Sequence, residues 1–161
     1  MSQLSGKKIL LGVCGSIAAY KAAFLVRLLV KAGAEVKVLM TPDATKFIST
    51  LTLSTLSRHP VFTKVSDEAG WNNHVDLGLW ADAMVIAPVT ATTLAKLSHA
   101  ICDNMIVAAY LSARCPVFFA PAMDVDMWHH PATRENVLRL QGFGNYLIPV
   151  GAGELASGLV G

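Results

Sequence analysis

The residues able to do chemistry in this chain fall into a few short segments. Gly12, Cys14, Gly15 and Ser16 end an apolar run and directly precede a helical pattern. Free backbone N–H groups and the positive end of a helix suit a phosphate there, and the Ser16 hydroxyl adds a donor. The spacing matches neither G-x-G-x-x-G nor the P-loop. The next strand ends in Leu39, Met40 and Thr41, with no carboxylate for a ribose 2′-hydroxyl. NAD is therefore disfavoured and a mononucleotide with one phosphate suits the turn better; close helix–strand packing is the alternative reason for the glycines.

Residues 87–93 place Pro88 and then Thr90, Thr92 and Thr93 at a second strand-to-helix turn. Capping needs one hydroxyl, and an anion or cofactor could use the others. His74 lies between a polar loop and an amphipathic segment, with Asp76 two residues on. A neutral imidazole there can act as acid or base, although a lone histidine equally fits a structural role. Asp103 and Asn104 open another helix, where capping and ligand contact are both open. Residues 121–128 (PAMDVDMW) follow a buried strand, and two methionines and a tryptophan in a turn fit either a planar apolar ligand or subunit packing. His129 and His130 are adjacent, so their side chains diverge; they read as surface residues, not metal ligands.

The elements that must position these residues alternate. Apolar strands are predicted over residues 7–13, 34–40, 83–87, 116–120 and 146–149, with a short one at 60–65 and Pro88 breaking the third. Helical patterns cover 17–32, 41–56, 75–80, 90–97, 103–111 and 133–140. In the first of these the apolar spacing is carried by Ala18, Phe24, Leu25, Leu28 and Leu29. Short apolar strands separated by helices predict an α/β fold, a single Rossmann-like, flavodoxin-like, doubly wound domain with a mainly parallel sheet over residues 1–161. Ligands in such sheets bind beyond the carboxyl ends of the strands, where the segments above lie.

Composition narrows the function classes. Of 161 residues, 53% are apolar and 15% charged, which excludes a disordered chain and predicts that subunit contacts or a ligand cover surplus apolar surface. Mean hydropathy is +0.50, yet no apolar run approaches the ~18 residues of a membrane span. Residues 1–8 lack a secretory h-region, so the expected compartment is the cytoplasm. Cys14, Cys102 and Cys115 read as buried thiols rather than disulfides or a zinc site. A net charge of +2 with no basic run argues against a nucleic-acid partner.

Taken together and in order, residues 15–21 (GSIAAYK), His74 ahead of Trp80-Ala81-Asp82, the 88–93 cluster, Asp103-Asn104 and 121–128 resemble the flavin-dependent cysteine decarboxylases. Within them the chain is similar to the phosphopantothenoylcysteine decarboxylase domain of bifunctional coenzyme A biosynthesis flavoproteins, from residue 7 to 161. The resemblance implies FMN as cofactor, a homotrimer or a dodecamer built from trimers, and a flavin lodged where subunits meet. By motif position, Gly15, Ser16, Ile17, Thr41, Pro88, Thr90, Thr93, Asp103 and Asn104 would hold FMN. His74 would be the active-site histidine, and Ala122, Asp124 and Met127 would meet substrate. Residues 153–158 would match the flap that closes over it.

The implied reaction is decarboxylation of 4′-phosphopantothenoylcysteine to 4′-phosphopantetheine. Transient oxidation of the cysteinyl side chain to a thioaldehyde provides the electron sink, and an enethiolate is then reduced. Two positions depart from the family pattern. Asp124 stands where the motif has asparagine; an ionised carboxylate only accepts hydrogen bonds and repels a substrate carboxylate. Ser157, expected to take the catalytic place on the flap, stands where a cysteine usually helps complete the reduction, and a hydroxyl is a far weaker acid than a thiol at about pKa 8.5. An oxidative decarboxylase of a peptidyl C-terminal cysteine and a noncatalytic FMN-binding regulatory subunit are the alternatives. The family commonly continues into a fused synthetase domain, so an N-terminal domain of a longer protein is expected.

Overall fold

A computed structural model describes residues 2–161. The chain runs β1 (Lys8–Val13), a 3-10 turn (Ile17–Tyr20), α1 (Lys21–Lys31), β2 (Glu35–Met40), a second 3-10 turn (Pro42–Lys46) and α2 (Thr50–Ser57). A small hairpin of β3 (Ser66–Asp67) and β4 (Gly70–Trp71) precedes α3 (His74–Trp80), β5 (Ala83–Val89), α4 (Ala91–His99) and α5 (Met105–Ser112). Then come β6 (Val117–Pro121), α6 (Val125–His129), α7 (Pro131–Gly142) and β7 (Tyr146–Leu147).

The five long-range strands form one all-parallel sheet in the order β2-β1-β5-β6-β7. This is the flavodoxin-like order, with its topological switch between β1 and β5. Alternation along β1 explains the continuous apolar run: Ile9, Leu11 and Val13 face the layer of α1 and α2, while Leu10 faces the layer of α3, α4, α5 and α7. The first face is filled by Val36, Val38, Met40, Val26 and Leu53, the second by Met84, Ile86, Leu94, Ile106 and Phe119. Each such side chain contributes roughly 1.5–3 kcal/mol on burial, so the strand ends that carry the candidate site are rigidly framed.

Several expectations are corrected. The strand predicted to stop at Pro88 continues to Val89, because a register shift between Ile86 and Val89 against β6 accommodates a residue without an N–H. The Ala87–Pro88 peptide is cis. The helix predicted over 41–56 is split, since the chain turns at 47–49 between the Pro42–Lys46 turn and α2. The strand predicted at 60–65 reduces to a single bridge, Leu39 to Phe62, and the loop before His74 contains the β3–β4 hairpin. Cys14 is buried as expected, whereas Cys102 is exposed and Cys115 half-buried.

The first helix forms where predicted, and of the apolar residues read as its inward face Leu25 and Leu29 pack on the core beside buried Ala22 and Val26. Phe24 and Leu28 turn outward instead and, with Ile17 and Tyr20, form a stripe 53–65% exposed. They share a side of the helix with Lys21, Arg27 and Lys31, and these cations mark the outward face that apolar spacing alone did not.

Candidate functional site

Four capped helical starts lie at the carboxyl end of the sheet. Ser16 Oγ accepts from Ala18 N at 3.2 Å, and Thr41 Oγ1 from Ala44 N at 3.3 Å, each opening a 3-10 turn. Thr90 Oγ1 accepts from Thr93 N at 3.3 Å before α4, and Asn104 Oδ1 accepts from Val107 N at 3.0 Å before α5. Ser16, Thr41, Thr90 and Asn104 all line one cavity of about 560 Å³, with Gly15, Thr93, Asp103, Ala122, Met123 and Met127. Capping uses these hydroxyl oxygens only as acceptors, so the O–H groups of Ser16, Thr41 and Thr90 remain able to donate. Helix starts add positive partial charge in the same place.

The close approach of backbone explains Gly15. A Cβ there would lie 2.8 Å from Asp43 Cβ and 2.9 Å from the Asp43 carbonyl carbon, so a side chain would push the β1 turn off the Pro42–Lys46 turn. Beneath this turn Cys14 is fully buried. Burial pushes its thiol pKa up, partly offset by hydrogen bonds with Thr93 and Thr90. Lys96 also lines the cavity, its Nζ 2.7 Å from Asp103 Oδ2, and this hydrogen bond holds the Asp103 carboxyl below its ordinary range. Sequence reading overlooked Lys96; its signal is the spacing of three residues from Thr93, which puts both on one face of α4. Hydroxyl donors, helix starts and a close-packed glycine turn suit the single phosphate of a mononucleotide.

A larger cleft of about 1000 Å³ adjoins this cavity, since Ser16, Ala122 and Met123 line both. Ile17, Pro88, Asp124 and Trp128 line it from the body of the domain, and Leu155 and Ser157 from the C-terminal segment. That segment folds into its own hairpin: Gly153 and Gly161 exchange two backbone hydrogen bonds, and Leu155 N donates to Leu159 O at 2.7 Å. Asp124 precedes α6 but makes no capping bond to it. It accepts instead from Ser157 Oγ at 2.9 Å.

His74 stands apart. It is the first residue of α3, half-buried, edge-on to Trp71 at 5.6 Å between ring centroids, with its Nδ1 buried and unpartnered. It lines neither cavity. The other residues singled out from sequence are divided between the two: Gly15, Thr41, Thr90, Thr93, Asp103, Asn104 and Met127 at the smaller, Ile17, Pro88, Asp124 and Ser157 at the larger, and Ser16 and Ala122 at both. Among the described residues no group of acidic, histidine and cysteine side chains could hold a metal ion, and no helix is long and apolar enough to cross a membrane.

The chain is 46% identical over 159 residues to a probable phosphopantothenoylcysteine decarboxylase of Streptococcus mutans, covering 96% of this chain and 89% of that one. It is 44% identical over 160 residues to the coenzyme A biosynthesis bifunctional protein CoaBC of Bacillus subtilis, covering 98% of this chain and 39% of that protein. It is 55% identical over 116 residues to a cysteine/cysteine sulfinic acid decarboxylase of an unknown prokaryotic organism, 71% of this chain and 32% of that protein. The chain thus spans about a third to two-fifths of the length of these last two relatives. Among solved structures, a Cys→Ser mutant of PPC decarboxylase complexed with pantothenoylaminoethenethiol superposes with a TM-score of 0.87 at 32% identity, covering 97% of this chain and 88% of that one. The FMN-dependent cysteine decarboxylase SpaF gives 0.86 at 34% identity, covering 98% and 91%. A family model described as Flavoprotein matches residues 1–157, and the chain belongs to that flavoprotein family.

Proposed function

We propose that this chain is an FMN-dependent decarboxylase acting on 4′-phosphopantothenoylcysteine to give 4′-phosphopantetheine. The observation that carries this reading is the cavity of capped helix starts adjoining a second, larger cleft, in a chain that covers 89% of a probable phosphopantothenoylcysteine decarboxylase at 46% identity. The donor set fits the FMN phosphate. Bound FMN supplies the reversible two-electron chemistry that loss of carbon dioxide from a cysteinyl carboxylate requires.

Ser16, Thr41 and Thr90 hold the phosphate by their free O–H groups, with Gly15, Thr93, Asp103 and Asn104 completing that end. Ile17 and Pro88 form an apolar wall, and Ala122 and Met127 the opposite approach to the cofactor. The 153–161 hairpin excludes water from the larger cleft, with Ser157 and Asp124 facing the substrate. His74 handles a proton or stabilises charge at the substrate. Because His74 lines neither cavity of its own chain, a second copy supplies it in a homo-oligomer. The exposed stripe of Ile17, Tyr20, Phe24 and Leu28 supports this assembly: Ile17 and Tyr20 also line the larger cleft, so a copy packed on the stripe borders the site.

A second reading, oxidative decarboxylation of a peptidyl C-terminal cysteine, is favoured by the likeness to SpaF and by Ser157, which offers no thiol for a reductive step. Anaerobic incubation of FMN-loaded protein with 4′-phosphopantothenoylcysteine, following carbon dioxide, flavin absorbance and product mass together, separates the two. Carbon dioxide with 4′-phosphopantetheine and reoxidised flavin supports the first reading. Carbon dioxide with bleached flavin and an enethiol supports an oxidative enzyme, and no release with flavin bound overturns the first reading and favours a different substrate or a noncatalytic role.

A further inference from the structure

We propose that the larger cleft also decarboxylates cysteine whose α-amino group is free, giving cysteamine, and that Asp124 selects this substrate class through its ammonium group. The inference rests on the flavin-dependent decarboxylation proposed above and extends its substrate range.

The charges of the cleft carry the argument. Asp124 and Glu154 bring two carboxylates to it and Lys21, the first residue of α1, brings an ammonium. Among the described residues the ion pairs are Lys46–Asp43, His59–Glu35 and Lys96–Asp103, so none of these three charges is paired. The single hydrogen bond that the Asp124 carboxylate accepts, from Ser157, occupies Oδ1 and leaves Oδ2 without a protein donor. Asp124 is exposed, so water serves Oδ2, and a ligand group that replaces this water must be a donor because a carboxylate only accepts.

Two cysteine classes differ at this point. In an N-acylated cysteine the nitrogen is an amide with one N–H and no charge, and the molecule is anionic, which the two carboxylates lining the cleft disfavour. In free cysteine the nitrogen is an ammonium with three N–H donors, and the zwitterion is neutral overall. Its ammonium is complementary in charge to Asp124 and its carboxylate to Lys21. Independently, the relative that is 55% identical over 116 residues is named for cysteine and cysteine sulfinic acid, both of which carry a free amino group.

The net reaction is redox-neutral. The bond between Cα and the carboxylate breaks, carbon dioxide leaves, and the bonding pair on Cα takes a proton from solvent. The transient oxidation at the thiol carbon and its reversal are those of the proposed reaction, so no further oxidant or reductant is consumed.

The test separates recognition from turnover. FMN-loaded protein is titrated by calorimetry with L-serine and with N-acetyl-L-serine, unreactive hydroxyl counterparts of the two classes. L-Serine is expected to bind about tenfold or more tightly than N-acetyl-L-serine, as for a charge-assisted contact against a neutral one, and Asp124→Asn to erase the preference. Glu154→Gln provides a second variant, with flavin retention as the check that each has folded. Equal binding of the two ligands, or an unchanged preference in Asp124→Asn, overturns the inference. In parallel, wild-type protein is given L-cysteine and 4′-phosphopantothenoylcysteine in separate anaerobic reactions. Carbon dioxide and cysteamine from L-cysteine support the inference whether or not the acylated substrate reacts. Release from the acylated substrate alone overturns the inference and leaves the proposed function standing. Release from L-cysteine alone does the reverse, and release from neither overturns both.

Discussion

Ser157 Oγ donates a 2.9 Å hydrogen bond to Asp124 Oδ1 across 33 residues of sequence. Among the described residues, it is the one hydrogen bond that joins 149–161 to the rest of the chain. Every other hydrogen bond of that segment is internal to its hairpin. Part of the larger cleft is thus lined by a hairpin whose one hydrogen bond to the body of the domain is to the carboxylate proposed to meet substrate, beside the packing of Gly161 on Val125. On that proposal, ligand binding and the anchoring of the hairpin draw on one group.

Removing the Ser157–Asp124 hydrogen bond is therefore expected to loosen the hairpin and nothing else. In Ser157→Ala, amide hydrogen exchange at residues 153–161 rises severalfold, because a lost hydrogen bond to a charged group costs about 1.5–3 kcal/mol when the acceptor is shielded and less when it is exposed, as here. Exchange in β1 and β5 stays as in the wild type. Unchanged exchange in the hairpin would show that its internal bonds and contacts suffice to hold it.

Cofactor retention and turnover are expected to separate by residue. Thr90→Val removes both the cap of α4 and a free hydroxyl of the smaller cavity, so it lowers stability by about 1 kcal/mol and lets FMN wash out on gel filtration. His74→Asn, which touches neither cavity within its chain, keeps the yellow cofactor and loses turnover by 100-fold or so, a typical general acid–base contribution. Full activity in His74→Asn ends that assignment, and full FMN retention in Thr90→Val ends the assignment of the phosphate.

Crowding at the phosphate turn gives a sharper case. In Gly15→Ala the new Cβ meets backbone of Asp43 at 2.9 Å and of Ala44 at 3.1 Å, so the turn after β1 and the Pro42–Lys46 turn must separate. Those two turns carry Ser16 and Thr41, hence FMN affinity falls by at least about tenfold, measured by fluorescence quenching, even where the thermal midpoint moves little. An unchanged affinity means that the turns move without cost or that phosphate lies elsewhere.

How far the sequence disclosed this arrangement depends on the range of the interactions involved. The sheet was legible because strands buried on both faces must be apolar throughout, as Ile9, Leu10 and Leu11 are. The caps at Thr90 and Asn104 were legible because a cap needs a short polar side chain at a fixed offset from its helix, whereas those at Ser16 and Thr41 were not singled out as caps. The continuation of β5 through Pro88 was not legible, since the bulge that permits it is made with β6, about 30 residues away. The outward stripe of α1 was masked because Phe24 and Leu28 are apolar yet share a side with Lys21, Arg27 and Lys31, and the Ser157–Asp124 contact was hidden by its long range.

The three cysteines report on burial in solution. The sequence suggested three protected thiols, but only Cys14 is fully buried, and burial raises its pKa, so at pH 7–8 it stays protonated and shielded. Cys115 is half-buried, and burial chiefly raises its thiol as well. Cys102 lies exposed just ahead of Asp103 and Asn104. Because the thiolate is the reacting species, an aromatic disulfide reagent at pH 7.5 is expected to modify Cys102 first and Cys115 more slowly. Cys14 reacts only after denaturation. Raising the pH through and beyond the ordinary thiol range of about 8.5 accelerates Cys115 further, as its folded-state pKa lies above that of an unfolded thiol, while Cys14 remains blocked by packing. Peptide mapping of the modified sites checks the order. Early labelling of Cys14 would mean that β1 opens at its carboxyl end on the timescale of the reaction, and that the smaller cavity built on that strand end is not rigidly framed.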